Sequence, residues 1–279
     1  MSTPDPASAD GFERLRLPDD TELALLRRGQ GRLLLMIHGS LCDARYWQPQ
    51  MRALAAVREV CAPSLRHYHP LPVLGPLDWR RDVRDMLALI DHLSPDAPVD
   101  LMGHSRGGAI AYQLALAAPR RVRRLILAEP GGEVGDGPGA DPAAQAKLQV
   151  WKTQLCERVA VGELDQAVGE FVDAVSRPGS WAQSPADFRR MALDNAQTLP
   201  GQLDDPLPGY DLEQLAALDL PALLVKGQRS RLRFQRTVDA LGRALPQARV
   251  VEIAGASHGM NLAHPRAFNT AVLDFLDAA

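Results

Sequence analysis

The chain has 279 residues, 46% of them hydrophobic and 23% charged, with a formal net charge of -3 and a pI near 6.2. This length suits one large domain with an insertion or two modest domains, and the composition is that of a soluble, enzyme-sized globular protein. The weak net charge, without a long run of either sign, gives no reason to expect a nucleic-acid partner, and no apolar stretch reaches the ~20 residues of a membrane helix.

The first ten residues, "MSTPDPASAD", are polar and contain proline, with no apolar segment behind a basic start. They read as a disordered leader and not as a secretory signal, which makes a cytoplasmic location the expectation. Three scattered cysteines, Cys42, Cys61 and Cys156, form neither a disulfide framework nor a zinc-ligand pattern and read as buried free thiols.

Two short strands are expected between Phe12 and Arg28, around the turn "PDD". "RLLLMIHG", Arg32 to Gly39, is a continuous apolar run ending in glycine, the pattern of a strand covered on both faces. "WQPQMRALAAV" predicts a helix and "REVCAPSL" a strand. From Leu77 to Leu93 the apolar positions Val83, Met86, Leu87, Ile90 and Leu93 form a helical stripe. "APVDLMGHS" then reads as a strand, "RGGAIAYQLALAAP" as a helix stopped by Pro119, and "VRRLILAEP" as a strand. This alternation favours a mainly parallel sheet with helices on both faces.

The alternation stops at a glycine-dense loop, Gly131 to Gly139, followed by three helical stretches. Strands resume at "LPALLVKG", Leu220 to Gly227, and "ARVVEIAG", with the helices "RFQRTVDALGRAL" and "HPRAFNTAVLDFLDAA" after them. The expected organisation is therefore a core of residues 1–130 and 215–279, interrupted by a helical cap over 131–214.

Gly103-His104-Ser105-Arg106-Gly107 has the form G-x-S-x-G between a predicted strand and a predicted helix, the context in which that pattern carries meaning. The turn lifts the serine hydroxyl out of the sheet, its glycines admit closely packed backbone, and the following helix points its N-terminal amides at the site. A serine hydroxyl needs a base, and "GASHGMNLAHP" offers His258 between the last strand and the last helix. His264, before Pro265, and His104, beside the serine, read as structural. An acyl transfer also needs donors for the developing oxyanion, and the backbone amides of Ser40, in "HGS", and Arg106 are the candidates.

The order HGS, GHSRGG and a late SHG, on alternating strands and helices, resembles the α/β-hydrolase superfamily with a helical cap, over essentially the whole chain beyond the leader. The resemblance implies a Ser–acid–His triad without metal or cofactor. In most members the acid follows the strand before the histidine strand, within text such as "G-x-x-D"; here Gly227-Gln228-Arg229-Ser230 puts a serine there. Some relatives, one haloalkane dehalogenase type among them, carry the acid after the strand that follows the nucleophile helix, and Glu129, in "LILAEPGG", occupies that place. A buried carboxylate there needs a partner, and His258 can be one. Asp204, Asp205 and Asp211 are the weaker candidates. Ser105 cannot replace the aspartate nucleophile of the dehalogenases or of capped epoxide hydrolases.

The expected function is hydrolysis of an ester-like small molecule (a carboxylic ester, lactone or thioester) through an acyl-enzyme. A C–C bond hydrolase, a cofactor-free oxygenase and a slow or non-catalytic small-molecule sensor stay open as alternatives. Trp47, Trp151 and Trp181 are named as substrate-binding residues, with Phe171, Phe188 and Met191 as further aromatic and apolar candidates. Arg66, His67 and His69 in "SLRHYHP", together with Arg106, Arg229, Arg231 and Arg233, raise the question of an anionic group on the substrate. Neither a nucleic acid nor a membrane is expected as a partner. The oligomeric state stays open, a homodimer included.

Overall fold

The computed structural model describes residues 11–134 and 142–278. The expected leader and residues 135–141 of the glycine-dense loop lie outside the described residues. In chain order the elements are β1 (Glu13–Arg16), β2 (Glu22–Arg28), β3 (Leu33–Ile37), α1 (Gln48–Leu54), β4 (Glu59–Ser64), α2 (Trp79–Leu93), β5 (Val99–His104), α3 (Arg106–Ala117) and β6 (Val122–Ala128). Then come α4 (Pro142–Ala160), α5 (Leu164–Val175), α6 (Ser180–Gln183), α7 (Ala186–Asp194), α8 (Leu199–Asp204) and α9 (Leu212–Ala216). The chain closes with β7 (Ala222–Gly227), α10 (Leu232–Ala244), β8 (Ala248–Ile253), α11 (Met260–Ala263) and α12 (Pro265–Asp277).

The strands form one eight-stranded sheet in the order β1-β2-β4-β3-β5-β6-β7-β8, antiparallel at β1–β2 and β2–β4 and parallel from β4 onward. All five residues of β3 and all six of β5 are buried, as their unbroken apolar text requires of strands sandwiched between helices. Alternate side chains feed two apolar layers. Leu35, Ile37, Leu101 and Leu125 pack against α2 and α3, while Leu34, Met36, Met102 and Ile126 pack with Trp47, Met260 and Phe268 on the other face.

The helices between β6 and β7 have an apolar cluster of their own, built on Leu155, Val159, Val168, Trp181 and Leu199 and reaching down to Leu41 of the core. The expected boundary at residue 214 falls inside α9, whose Leu215 is buried in the sheet-side core together with Tyr210. The sheet side of the fold thus takes the chain back before the strand text resumes. Among the described residues no helix is long and apolar enough to cross a membrane.

Candidate active site

Ser105 stands between the end of β5 and the start of α3 with φ 51° and ψ -119°, a region that a side chain normally avoids. The turn is held from all sides. The Ser105 amide donates to the Ala128 carbonyl at 3.1 Å, and the Ser105 carbonyl accepts from the amides of Gly108, Ala109 and Gly131 at 2.9, 3.2 and 2.7 Å. A Cβ on Gly103 would run into the carbonyl of Gly107, and one on Gly107 into the carbonyls of Ile37 and His38. The glycines of the motif are therefore demanded by backbone packed on backbone at the crossing of β3, β5 and α3.

His258 follows β8. Its Nδ1 lies 2.7 Å from Glu129 Oε2, and Glu129, fully buried after β6 at φ 39°, accepts with its other oxygen from the Gly227 amide at 2.7 Å. Both carboxylate oxygens are thereby engaged, which is what a buried anion requires. The imidazole is flanked by rings. Phe234 stacks on it with centroids 4.1 Å apart and 16° between planes, and His104 lies 4.6 Å away on centroids. His104 Nε2 sits 2.9 Å from the His258 carbonyl. A carbonyl can only accept, so Nε2 carries the proton. Burial, reinforced by the neighbouring His258, pushes the pKa of His104 well below its ordinary value and keeps it neutral.

Ser230, where the superfamily pattern more often has its acid, is buried with a hydroxyl that has no hydrogen-bond partner among the described residues. Of the weaker acid candidates, Asp205 pairs with Arg106 and accepts from the Trp79 amide at 2.9 Å, and Asp211 caps α9 by accepting from the Glu213 and Gln214 amides. Glu129 is the acid that touches His258.

The loop after β3 is set by His38. The Leu65 amide donates to its Nε2 at 3.0 Å, so the proton lies on Nδ1, which is 2.8 Å from the Gly39 carbonyl. Pinning that carbonyl also fixes the direction of the Ser40 N–H, because the two groups belong to one planar trans peptide and point opposite ways. Burial lowers the pKa of His38 to about 4, so it stays a neutral donor. Gly39 lies directly on the Ser105 turn: a Cβ there would be 3.1 Å from Ser105 Cβ and 2.9 Å from His104 Nδ1. Ser40, Ser105 and His258 all face one cavity of about 360 Å³.

That cavity is walled by Leu41, Cys42, Tyr46, Leu262 and Ala263 on the sheet side, and by α5, α6, α7 and the 176–180 turn on the other, with Phe171 and Phe188 among the lining side chains. None of the three tryptophans named from the sequence lines it. Trp47 is fully buried in the layer beneath, packed near Tyr46 and Phe268. Trp181 is locked in the helical cluster with its Nε1 donating to Asp165, and Trp151 stacks behind Phe171. Met191 is buried in the same apolar layer as Trp47. Helical spacing alone does not say which side of a helix faces a cavity.

The polar candidates are also redistributed. Arg66 makes a two-point contact with Asp85 at 2.8 and 2.9 Å and donates to Thr21, and His67 accepts from the Leu74 amide. The guanidinium of Arg106 is buried against Asp205 and lies 3.9 Å from Asp82. Arg231 donates to the carbonyls of Ser176 and Asp173 at 3.0 and 2.8 Å, and Arg233 lies over the Phe234 ring. Arg66, His67, His69, Arg106, Arg229, Arg231, Arg233 and His264 are absent from the cavity wall.

The Alpha/beta hydrolase family model matches residues 34–271. Polyketide synthase ThaQ of Burkholderia thailandensis is 31% identical over 99% of this chain, which spans only 13% of that protein's length. A pimeloyl-[acyl-carrier protein] methyl ester esterase of Pectobacterium atrosepticum is 27% identical over 88% of this chain and 94% of its own. A crystal structure of a hydrolase from Pseudomonas aeruginosa superposes with a TM-score of 0.77 at 25% identity, covering 97% of this chain and 100% of that one.

Proposed function

Since the chain belongs to the alpha/beta hydrolase family, we propose that it is a serine hydrolase which cleaves an ester-like small molecule through an acyl-enzyme. The observation that carries the reading is the 2.7 Å contact of buried Glu129 with a His258 that shares its cavity with Ser105. With Nδ1 held in a hydrogen bond to the carboxylate, Nε2 is left to act as the base.

In this reading Ser105 Oγ attacks the substrate carbonyl while His258 Nε2 takes the hydroxyl proton. Glu129 holds the imidazole's orientation and balances the imidazolium charge. The oxyanion is met by the Ser40 and Arg106 amides, and His258 then returns the proton to the leaving group. A water activated by the same imidazole attacks the acyl-enzyme and restores Ser105. The helices from α4 to α8 act as the cap that excludes water and selects the acyl part. The relatives' names support ester chemistry: the Pectobacterium protein is named a methyl ester esterase. The reading needs neither metal nor organic cofactor, takes a small molecule as its partner, and keeps the protein in the cytoplasm.

Labelling by a fluorophosphonate tests it. Wild-type protein is expected to be labelled at Ser105, with loss of the label in Ser105→Ala and a steep drop in Glu129→Gln. Equal labelling of wild type and Ser105→Ala would overturn the assignment.

A further inference from the structure

Among the described residues that wall the cavity, Arg177 is the one arginine or lysine, and Glu and Asp are absent from that wall. The other lining residues are apolar, or polar without a carboxylate, ammonium or guanidinium group, with His104 and His258 among them. The arginines raised by the sequence are saturated or point elsewhere: Arg66 holds Asp85, Arg106 holds Asp205 and Arg231 holds two carbonyls. Arg177 has an exposed side chain whose guanidinium makes no hydrogen bond or ion pair among the described residues.

The backbone beneath this guanidinium is fixed. The Arg177 amide donates to Ser180 Oγ at 3.2 Å and its carbonyl accepts from the Ser180 amide at 3.0 Å. Asp173 takes the amides of Gly179 and Trp181 at 2.7 and 2.8 Å, and Arg231 grips the Ser176 and Asp173 carbonyls. Ser176 Oγ reaches across to Ser257 Oγ, beside His258, at 3.3 Å. The turn is thus tied both to its own helix and to the loop that bears the candidate base. A guanidinium on a fixed turn loses less entropy on binding than one on a free loop, and its planar fork matches a carboxylate at two points.

Resting on the reading of Ser105 as the nucleophile, we infer that Arg177 selects substrates carrying a carboxylate: half-esters or lactones of dicarboxylic acids, with the anion on Arg177, the scissile carbonyl at Ser105 and an apolar body against Phe171 and Phe188. Arg177 sets specificity and does no chemistry.

The test compares phenyl hydrogen adipate with its terminal carboxamide, an uncharged ester of nearly the same shape. The readout is the ratio of kcat/KM for acid over amide, which cancels any general loss of activity. Wild type prefers the acid. Arg177→Gln lowers the ratio about tenfold, through KM for the acid, as expected for one charge-assisted contact, and Arg177→Lys recovers part of it. Arg229→Gln, a charge change off the cavity wall, keeps the wild-type ratio. A ratio unchanged in Arg177→Gln, or lowered equally in Arg229→Gln, overturns the assignment while the hydrolase reading stands. If neither ester turns over, calorimetry of the acid on Ser105→Ala decides: binding lost on adding Arg177→Gln supports the site, and binding retained overturns it.

Discussion

Glu129 and His258 meet at 2.7 Å although they leave the sheet from β6 and β8, with β7 between them, and the Gly227 amide at the end of β7 holds the other carboxylate oxygen at 2.7 Å. Gly227 opens the Gly-Gln-Arg-Ser segment that lacks the usual acid. The carboxylate from one strand earlier reaches past the end of β7, and the backbone there donates to it. Positive φ at Glu129 lets the chain leave β6 at the angle this needs.

Glu129→Gln keeps the shape and, in the proposed mechanism, removes the carboxylate that balances the imidazolium of His258. Loss of kcat on the order of 10⁴-fold is expected, the size seen when the acid of a Ser-His-Asp triad is neutralised. Ser230→Ala, which removes an unpartnered buried hydroxyl, is expected to stay within about twofold of wild type. Steady-state hydrolysis of a phenyl ester checks both; equal losses in the two variants would return the acid's role to the β7 loop.

His38 supplies a pH signature. Its ordinary value is 6.5 and burial lowers the folded value to about 4, so the unfolded chain takes up a proton first as the medium is acidified. The stability it contributes is complete above pH 6.5 and is lost as pH falls through about 4. His104, depressed for the same reason, adds to the slope in the same direction. Melting temperatures between pH 7 and pH 4 should fall for wild type and fall less for His38→Gln, which keeps an acceptor near the Nε2 position and has no group at Nδ1. The same variant should lose kcat, because the Gly39 carbonyl, and with it the Ser40 N–H, is no longer pinned from Nδ1.

Asp82 acts with the opposite sign. Burial raises its folded value to about 7 from 3.8, against the partial pull of Arg106 at 3.9 Å. Its protonated form is stable in the fold, so stability is fully present below pH 3.8 and declines as pH rises through about 7. Asp82→Asn removes that decline. The variant should gain on wild type between pH 5 and pH 8, by about 2–4 °C in melting temperature for each kcal/mol involved. A difference independent of pH would mean that Asp82 is already charged at the lower pH.

Gly107→Ala places a methyl group against two backbone carbonyls that cannot step aside without separating β3 from α3. The expected cost is above ~4 kcal/mol, the range reserved for severe core disruption. Circular dichroism and the yield of soluble protein check it. A folded variant with normal labelling would mean that the elbow is looser than its contacts imply.

The strand and helix text read directly because each signal is local. Five apolar residues before "HG" make β3, Pro119 ends α3, and G-x-S-x-G sits where β5 meets α3. Ser105 and His258 were legible for the same reason, as each lies on a turn after a strand. Short elements such as α8, α9 and α11 leave no sequence signal, because four to six residues carry no usable period. Phe234 and the Gly227 amide, both in contact with the His258–Glu129 pair, carry no signal a sequence can show, since an aromatic at the start of a helix and a glycine after a strand are ordinary in any chain.

What the sequence by itself determined is the order of elements, the strained turn at Ser105 and the short set of acids able to serve His258. These follow from backbone rules acting over a few residues. Tertiary structure decided which acid reaches the imidazole, which aromatic rings line the cavity and which arginine on its wall has no guanidinium partner among the described residues. Those outcomes depend on partners far off in the chain, such as Asp85, Asp205 and the Ser176 carbonyl, which hold Arg66, Arg106 and Arg231, while Arg177 is the arginine among the cavity's lining residues.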